Sequence, residues 1–356
     1  MNIKIKKGIV NAIIFILFVF LTFYTVFKEN NISQILEAIK FVDFKYIIVA
    51  IFCMCFFVCA EGINIARTLK IQNCKINFIS GIKYALVGFF FSGVTPSASG
   101  GDPMQMYYMT KDDLPLGQSA LAVITEFSSF QFVTIIISII GLITSYNFIN
   151  SSVGNIKYFL FIGIFINVFI LTILLLTIFS NKLILKILNI FCKILEKFHF
   201  KKTEEFRNKC IIQINEYKSG AELLKKNKKV LLKIVSTTLI QIILYHSIPY
   251  FIYLAFGLSG VSYLKFLALQ SVLYISVSSL PLPGAVGASE GGFMLIYKLL
   301  FSNEILSSAM ILSRGISFYL FIIISGIAVL CFSLKNYCKK KDNFKLSTST
   351  NCQIEE

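Results

Sequence analysis

The chain has 356 residues, of which 56% are hydrophobic and 15% charged, with 36 Phe and no Trp. Apolar blocks this long and dense do not suit the core of a water-soluble protein, and they leave no room for a soluble enzyme domain as the main body of the chain. The net charge is +16, from 34 basic and 18 acidic residues. In a soluble protein that excess would suggest nucleic acid, but here its distribution points to a membrane surface and no direct nucleic-acid partner.

In chain order, Lys4, Lys6 and Lys7 precede an apolar run over 8–27. The run starts like a signal peptide, yet it is long and lacks a small-residue cleavage motif, so a retained anchor is expected. A helix needs about 20 mainly apolar residues to cross the hydrocarbon layer. Further spans are therefore expected at 46–66, 117–144, 157–180, 231–257 and 305–334. Two shorter apolar stretches, 78–94 and 264–280, end in Pro and Gly.

Basic residues collect in the amino-terminal tail, in Arg67 to Lys75, in the tail after Lys335, and above all from Lys182 to Lys229, where 13 Lys/Arg stand against 5 Glu. These segments are expected on the cytoplasmic side, and the neutral loops between them outside. Counting crossings then constrains the two short stretches. The chain returns to the cytoplasm at Arg67 and again at Lys182, so 78–116 must enter and leave on one side. By the same parity 264–300 must enter and leave on the other.

The tips of these hairpins resemble each other. The first reads Thr95-Pro96-Ser97-Ala98-Ser99-Gly100-Gly101-Asp102-Pro103, and the second Leu282-Pro283-Gly284-Ala285-Val286-Gly287-Ala288-Ser289-Glu290. In each, Pro precedes Gly by four positions and an acidic residue follows. Such residues break helices and free backbone groups that lipid cannot satisfy. Broken helices at corresponding places in two halves point to a transporter site near the membrane midplane. The alternative is a pair of tight turns packed for stability.

Ionisable groups inside a bilayer need partners or a purpose. Glu61, Asp102, Glu126, Glu290 and Arg314 are of this kind, and Arg314 is expected to pair with Glu290, Glu126 or Asp102. Arg314 then either closes a structural ion pair or holds a phosphate, which suits a planar guanidinium. His246 lies just before a bulge expected at Pro249, as a proton relay or as a hydrogen-bond partner of a neighbouring helix. Tyr107, Tyr108 and Tyr319 read as interfacial anchors. Cys53, Cys55 and Cys59 read as small packing residues, with no metal and no cofactor implied. Ile187, Ile190, Phe191, Ile194 and Phe198 recur at helical spacing among Lys186, Lys193 and Lys197, which suits an amphipathic helix on anionic lipid. The second half of that connector, richer in Glu, could equally be a solvated linker.

The run from Gly93 to Pro103, the run from Pro281 to Glu290, and Ser313-Arg314 ahead of Phe318 and Tyr319 together resemble the lysylphosphatidylglycerol synthase membrane region, the flippase-like domain family. The resemblance spans roughly 8–334, with Arg67 as a weaker match and Phe127 standing where an Arg would be expected. It implies transfer of lysylphosphatidylglycerol, or a related anionic or aminoacylated phospholipid, to the outer leaflet, and with it resistance to cationic antimicrobial peptides. It also implies a separate soluble lipid synthetase as partner, since no segment here is long enough for the catalytic domain of full-length relatives. Phosphatidylglycerol lysyltransferase activity, or transport of a polyprenyl phosphate sugar, remain the alternatives.

The expected architecture is an all-α polytopic protein of the inner membrane. About six full spans and two oppositely oriented re-entrant hairpins are expected, with both termini cytoplasmic. Residues 1–180 form the first membrane half, 181–229 a basic connector, 230–334 the second half and 335–356 a basic tail. The expected substrate-binding set is Thr95, Pro96, Ser97, Gly100, Gly101, Asp102, Pro283, Gly284, Gly287, Glu290 and Arg314, supported by Arg67, Glu126 and His246.

Overall fold

The computed structural model describes residues 40, 42–153, 156–179, 203–278 and 280–334. The expected anchor at 8–27, the amphipathic run 187–198 and the tail from 335 lie outside these residues. Among the described residues all regular elements are helical. In chain order they are α1 (Phe44–Ile71), α2 (Phe78–Val94), α3 (Gly101–Lys111), α4 (Leu116–Val153), α5 (Ile156–Phe179), α6 (Thr203–Lys226), α7 (Lys228–Ala255), α8 (Tyr263–Ser278), α9 (Ala288–Tyr297) and α10, which begins as Asn303–Arg314. Through a π-turn at Gly315–Tyr319, α10 continues to Leu334.

Five of these helices, α1, α4, α5, α7 and α10, are long and apolar enough to cross a membrane, while α2 and α8 are shorter apolar helices. The protein is thus a multi-pass membrane protein. Local signals set the boundaries. Asp43 caps α1 by accepting from the Lys45 amide at 3.0 Å, and Asn77 caps α2 by accepting from Ser80 at 2.8 Å. Asn73 and Asp113 take left-handed conformations where α1 and α3 end, a backbone region these short polar side chains tolerate.

The order of lengths repeats. α1, α2, α3 and α4 run 28, 17, 11 and 38 residues; α7, α8 and α9 run 28, 16 and 10, and the long α10 follows. The opening helices of the two series, α1 and α7, pack along each other and are antiparallel. Asp43 N–H donates to Ala255 O at 2.8 Å at one end, Gln241 Nε2 to Phe57 O at 3.0 Å in the middle, and Asn64 Nδ2 to Thr238 Oγ1 at 3.0 Å towards the other end. The two series therefore start from opposite ends of the bundle. Inter-helix hydrogen bonds of this kind contribute about 0.6 kcal/mol each in a membrane, so van der Waals packing along the seam must supply most of the adhesion.

Each series then packs into the other. The second broken hairpin lies against the first series: Ser138 Oγ on α4 donates to Ser271 O on α8 at 3.0 Å, and Gly163 on α5 lets the backbone of Ile275 approach. The first hairpin lies against α10, where Gly93 makes room for Ile322, Gly326 for Phe90, and Tyr108 shares a 2.7 Å hydrogen bond with Ser333. At its base the first hairpin is closed by Lys83 Nζ and Tyr84 Oη, both donating to Asp112 Oδ2 at 2.7 Å.

Three expectations change. α7 stays helical through Pro249, so no bulge forms there; the proline only deprives the Tyr245 carbonyl of its usual amide partner. The second half of the connector is not a free linker, because α6 docks Tyr217, Ala221 and Leu224 against Leu121 and Ile234. Tyr108 is a buried inter-helix contact, although Tyr107 is exposed as an anchor would be.

α1 and α2 approach each other closely. A Cβ on Gly62 would stand 2.7 Å from the Gly81 carbonyl carbon and the Ile82 nitrogen, both main-chain atoms that cannot rotate away. Gly81→Val is expected to force the helices apart and destabilise the fold by about 1–3 kcal/mol. Thermal unfolding in detergent reads this as a fall in apparent Tm, and an unchanged Tm would show that α2 has room to shift.

Candidate functional site

The two hairpin tips meet each other. Their backbones are built alike. Pro96–Ala98 and Pro283–Ala285 are each a single tight turn after an extended residue, Thr95 or Leu282. The second and third residues of each turn have positive φ: Ser97 and Ala98 at 51° and 54°, Gly284 and Ala285 at 57° and 52°. Three of these four are non-glycine residues held in a sparsely populated region, the kind of local strain that concentrates at functional sites.

What holds the two tips differs. At the first, Thr95 Oγ1 accepts from the Gly100 amide at 2.8 Å and donates to Phe91 O, and Gly100 is the residue that lets the threonine sit so close. At the second, Glu290 carries the load. Its Oε2 accepts from the Gly287 amide at 2.7 Å, and its Oε1 accepts from Arg314 Nε at 2.8 Å and from the Tyr319 hydroxyl at 3.0 Å. Arg314 Nη2 adds a bond to the Gly284 carbonyl at 3.1 Å. Glu290 is 3% exposed and Arg314 9%. Of the three partners that the intramembrane charges offered Arg314, the structure selects Glu290.

The π-turn explains how one carboxylate reaches both Arg314 and Tyr319. In an α-helix, positions five apart point away from one another; a turn closed by i→i+5 hydrogen bonds brings them to nearly the same face. It also sets the Phe318 ring 4.6 Å from the Arg314 guanidinium carbon, so the cation is backed by an aromatic face. Tyr319 is therefore part of the buried polar cluster and not an interfacial anchor.

Between the tips lies a cavity of about 720 Å³. Its wall draws on both series. Glu61, Ser92, Asp102 and Gln105 form a polar side from the first, and Gln270, Ser289, Ser313 and Arg314 face in from the second. Phe57, Phe127, Phe130, Tyr245, Tyr274 and Phe318 make much of the remainder aromatic. A large apolar pocket with a few convergent polar groups has the form of a small-molecule or head-group site.

The expected site residues separate into groups. Ser97, Asp102, Gly284 and Arg314 line the cavity, whereas Thr95, Pro96, Gly100, Gly101, Pro283, Gly287 and Glu290 build the tips behind that wall. Arg67 stands apart. Its Nη1 clamps α1 to α7 by donating to Lys233 O at 2.9 Å and Thr237 Oγ1 at 3.0 Å, and within α1 it donates to Asn64 Oδ1 at 3.1 Å, a packing role outside the cavity lining. His246 is 1% exposed, packed between the rings of Tyr245 and Tyr274, with no hydrogen bond at Nδ1. Glu126 is also off the lining but interacts electrostatically with Glu61 and Asp102.

Gln105 has no place in the expected set, and Glu61 only among the intramembrane charges, yet both face the cavity. Gln105 Nε2 donates to Glu61 Oε1 at 2.6 Å, passing over α2 at Gly88, where any side chain would collide with it. The available signal was the spacing Asp102, Gln105 on one face of a short helix, with a counterpart in Gln270 and Tyr274 one turn apart on α8.

The comparisons with known proteins agree with this architecture. The family model described as "Lysylphosphatidylglycerol synthase TM region" matches residues 8–325. A "UPF0104 membrane protein" of Archaeoglobus fulgidus is 22% identical over 326 residues, covering 90% of this chain and 94% of its own. A second protein of that description, from Pyrococcus horikoshii, is 24% identical over 317 residues, covering 85% and 90% respectively. Neither name states an activity.

Arg314→Leu would leave Glu290 buried without its cation, at an expected cost of about 3–5 kcal/mol. Adding Glu290→Gln to that variant should restore much of the lost Tm. A double variant no more stable than Arg314→Leu alone would mean that the two side chains are not coupled.

Proposed function

Because the chain belongs to the lysylphosphatidylglycerol synthase transmembrane-region family, we propose that it carries phospholipid head groups between the two leaflets of a membrane. Lysylphosphatidylglycerol or a related anionic or aminoacylated phospholipid is the substrate. The observation that carries this reading is the cavity between the two broken hairpins, with Arg314 in its wall. Arg314 uses Nε and Nη2 to hold Glu290 and Gly284. Among the described residues its Nη1 has no hydrogen-bond partner and remains to meet a phosphate oxygen, with the guanidinium already oriented by Phe318.

In this reading the two hairpins are re-entrant from opposite faces, both termini are cytoplasmic, and the membrane is the inner one. The head group occupies the cavity while the acyl chains stay in lipid, so it avoids bare hydrocarbon during the crossing. A separate soluble synthetase supplies the aminoacylated lipid, and its export lowers the negative charge of the outer surface, which supports resistance to cationic peptides. The carboxyl groups of Glu61 and Asp102 in the cavity wall count against a purely anionic cargo such as a polyprenyl phosphate sugar.

Radiolabelled lysylphosphatidylglycerol in proteoliposomes tests the reading. Translocation should exceed that in protein-free vesicles. Arg314→Lys keeps a cation beside Glu290 but loses the fork that grips phosphate, and should slow it by about tenfold or more. Transport at the normal rate in a less stable Arg314→Lys protein would remove Arg314 from phosphate binding, and no acceleration with any acidic or aminoacylated lipid would remove the lipid reading altogether.

A further inference from the structure

The cavity wall carries carboxyl groups as well as Arg314, and phosphate binding does not account for them. Glu61 on α1 and Asp102 on α3 line the cavity, and Glu126 on α4 interacts with both. Among the described residues the Asp102 carboxyl group, which faces the cavity, has no hydrogen-bond partner, and Glu61 is held only through its Oε1, by Gln105. Glu126 Oε1 is sealed from solvent and has no hydrogen-bond partner at all.

The groups that act on this cluster come from every element around it. Glu61 feels Gln105 and Asp102; Glu126 feels Glu61 and Asp102, and lies beside the Tyr274 phenol of α8. α2 contributes Gly88 and Ser92, which carry no charge. From α7, Tyr245 faces Arg314 and Glu290. The cation of the cavity, Arg314, is committed to Glu290. Three carboxyl groups that interact with one another in a bilayer cannot all stay ionised without a positive charge among them. Two species can supply it: a proton shared on the carboxyl groups, or the ammonium group of a ligand whose phosphate lies at Arg314.

Taking the cavity as a phospholipid head-group site, on which this rests, we propose that the interacting carboxyl groups of Glu61, Asp102 and Glu126 give up a proton when the ammonium group of an amine-bearing head group comes to Glu61 and Asp102 in the cavity wall. Cargo is thereby selected for carrying both phosphate and amine, and its entry is coupled to proton release. The exchange balances without any covalent change in the lipid. The O–H bond of a carboxylic acid breaks, its proton leaves through cavity water, and the resulting carboxylate accepts hydrogen bonds from the ammonium N–H groups. Reprotonation of the cluster on the other side would expel the head group, so a proton gradient could drive the cycle.

Calorimetric titration of the purified protein in nanodiscs tests this, using dioctanoyl lysylphosphatidylglycerol and dioctanoyl phosphatidylglycerol, each in phosphate and in Tris buffer. The lysyl lipid should bind with a heat that differs between the buffers in the direction of proton release, and phosphatidylglycerol should show no such difference. Glu126→Gln, isosteric and uncharged, should diminish the proton release read as the difference in heat between the buffers. Binding of the lysyl lipid with buffer-independent heat overturns the exchange and leaves the head-group reading intact. Binding of neither lipid overturns both. The wild-type buffer comparison decides the matter even if the variant does not fold.

Discussion

The Glu290 carboxylate is the interaction on which the site depends. It takes a backbone amide of the second hairpin tip with one oxygen, and with the other it takes Arg314 and Tyr319 of the last span. A loop whose backbone has left the helical path is thereby tied to a full-length helix. Without that tie the amide at Gly287, the carbonyl at Gly284 and the guanidinium would each need another partner in surroundings that offer few. Both Glu290 oxygens and the Arg314 Nε and Nη2 groups are satisfied within the cluster, which is the condition under which a buried ion pair is worth keeping. The π-turn belongs to the same arrangement, because it puts Arg314, Phe318 and Tyr319 within reach of the tip.

The two tips share a backbone but not a chemistry. The first is stapled by an uncharged threonine, the second by a carboxylate and its arginine. A structural repeat therefore frames a cavity whose wall holds the carboxyl groups of Glu61 and Asp102 together with a guanidinium held by its own carboxylate.

Much of this was legible from residue order alone. Pro followed by Gly four positions later, twice, marked both breaks, and the structure builds the two tips with the same turn. The isolated charge at Arg314 announced a buried cluster before its partner was known. What stayed hidden depends on contacts between distant segments. Nothing local in Phe318 or Tyr319 signals a π-turn, so Tyr319 read as an anchor. Arg67 entered the expected site as a weaker match to the family resemblance, but its register against α7 turns it into a helix clamp. Gln105 becomes meaningful only when Gly88 allows it to reach Glu61 from another helix.

The central claim is that this cavity holds a phospholipid by its head group, with Arg314 as the phosphate contact. Native mass spectrometry of the protein extracted from its own membranes, wild type beside Arg314→Lys, tests it most directly. The account predicts a retained phospholipid with both phosphate and amine in its head group on the wild type, and its loss from the variant. The same lipids on both proteins, or no retained lipid on either, would contradict it.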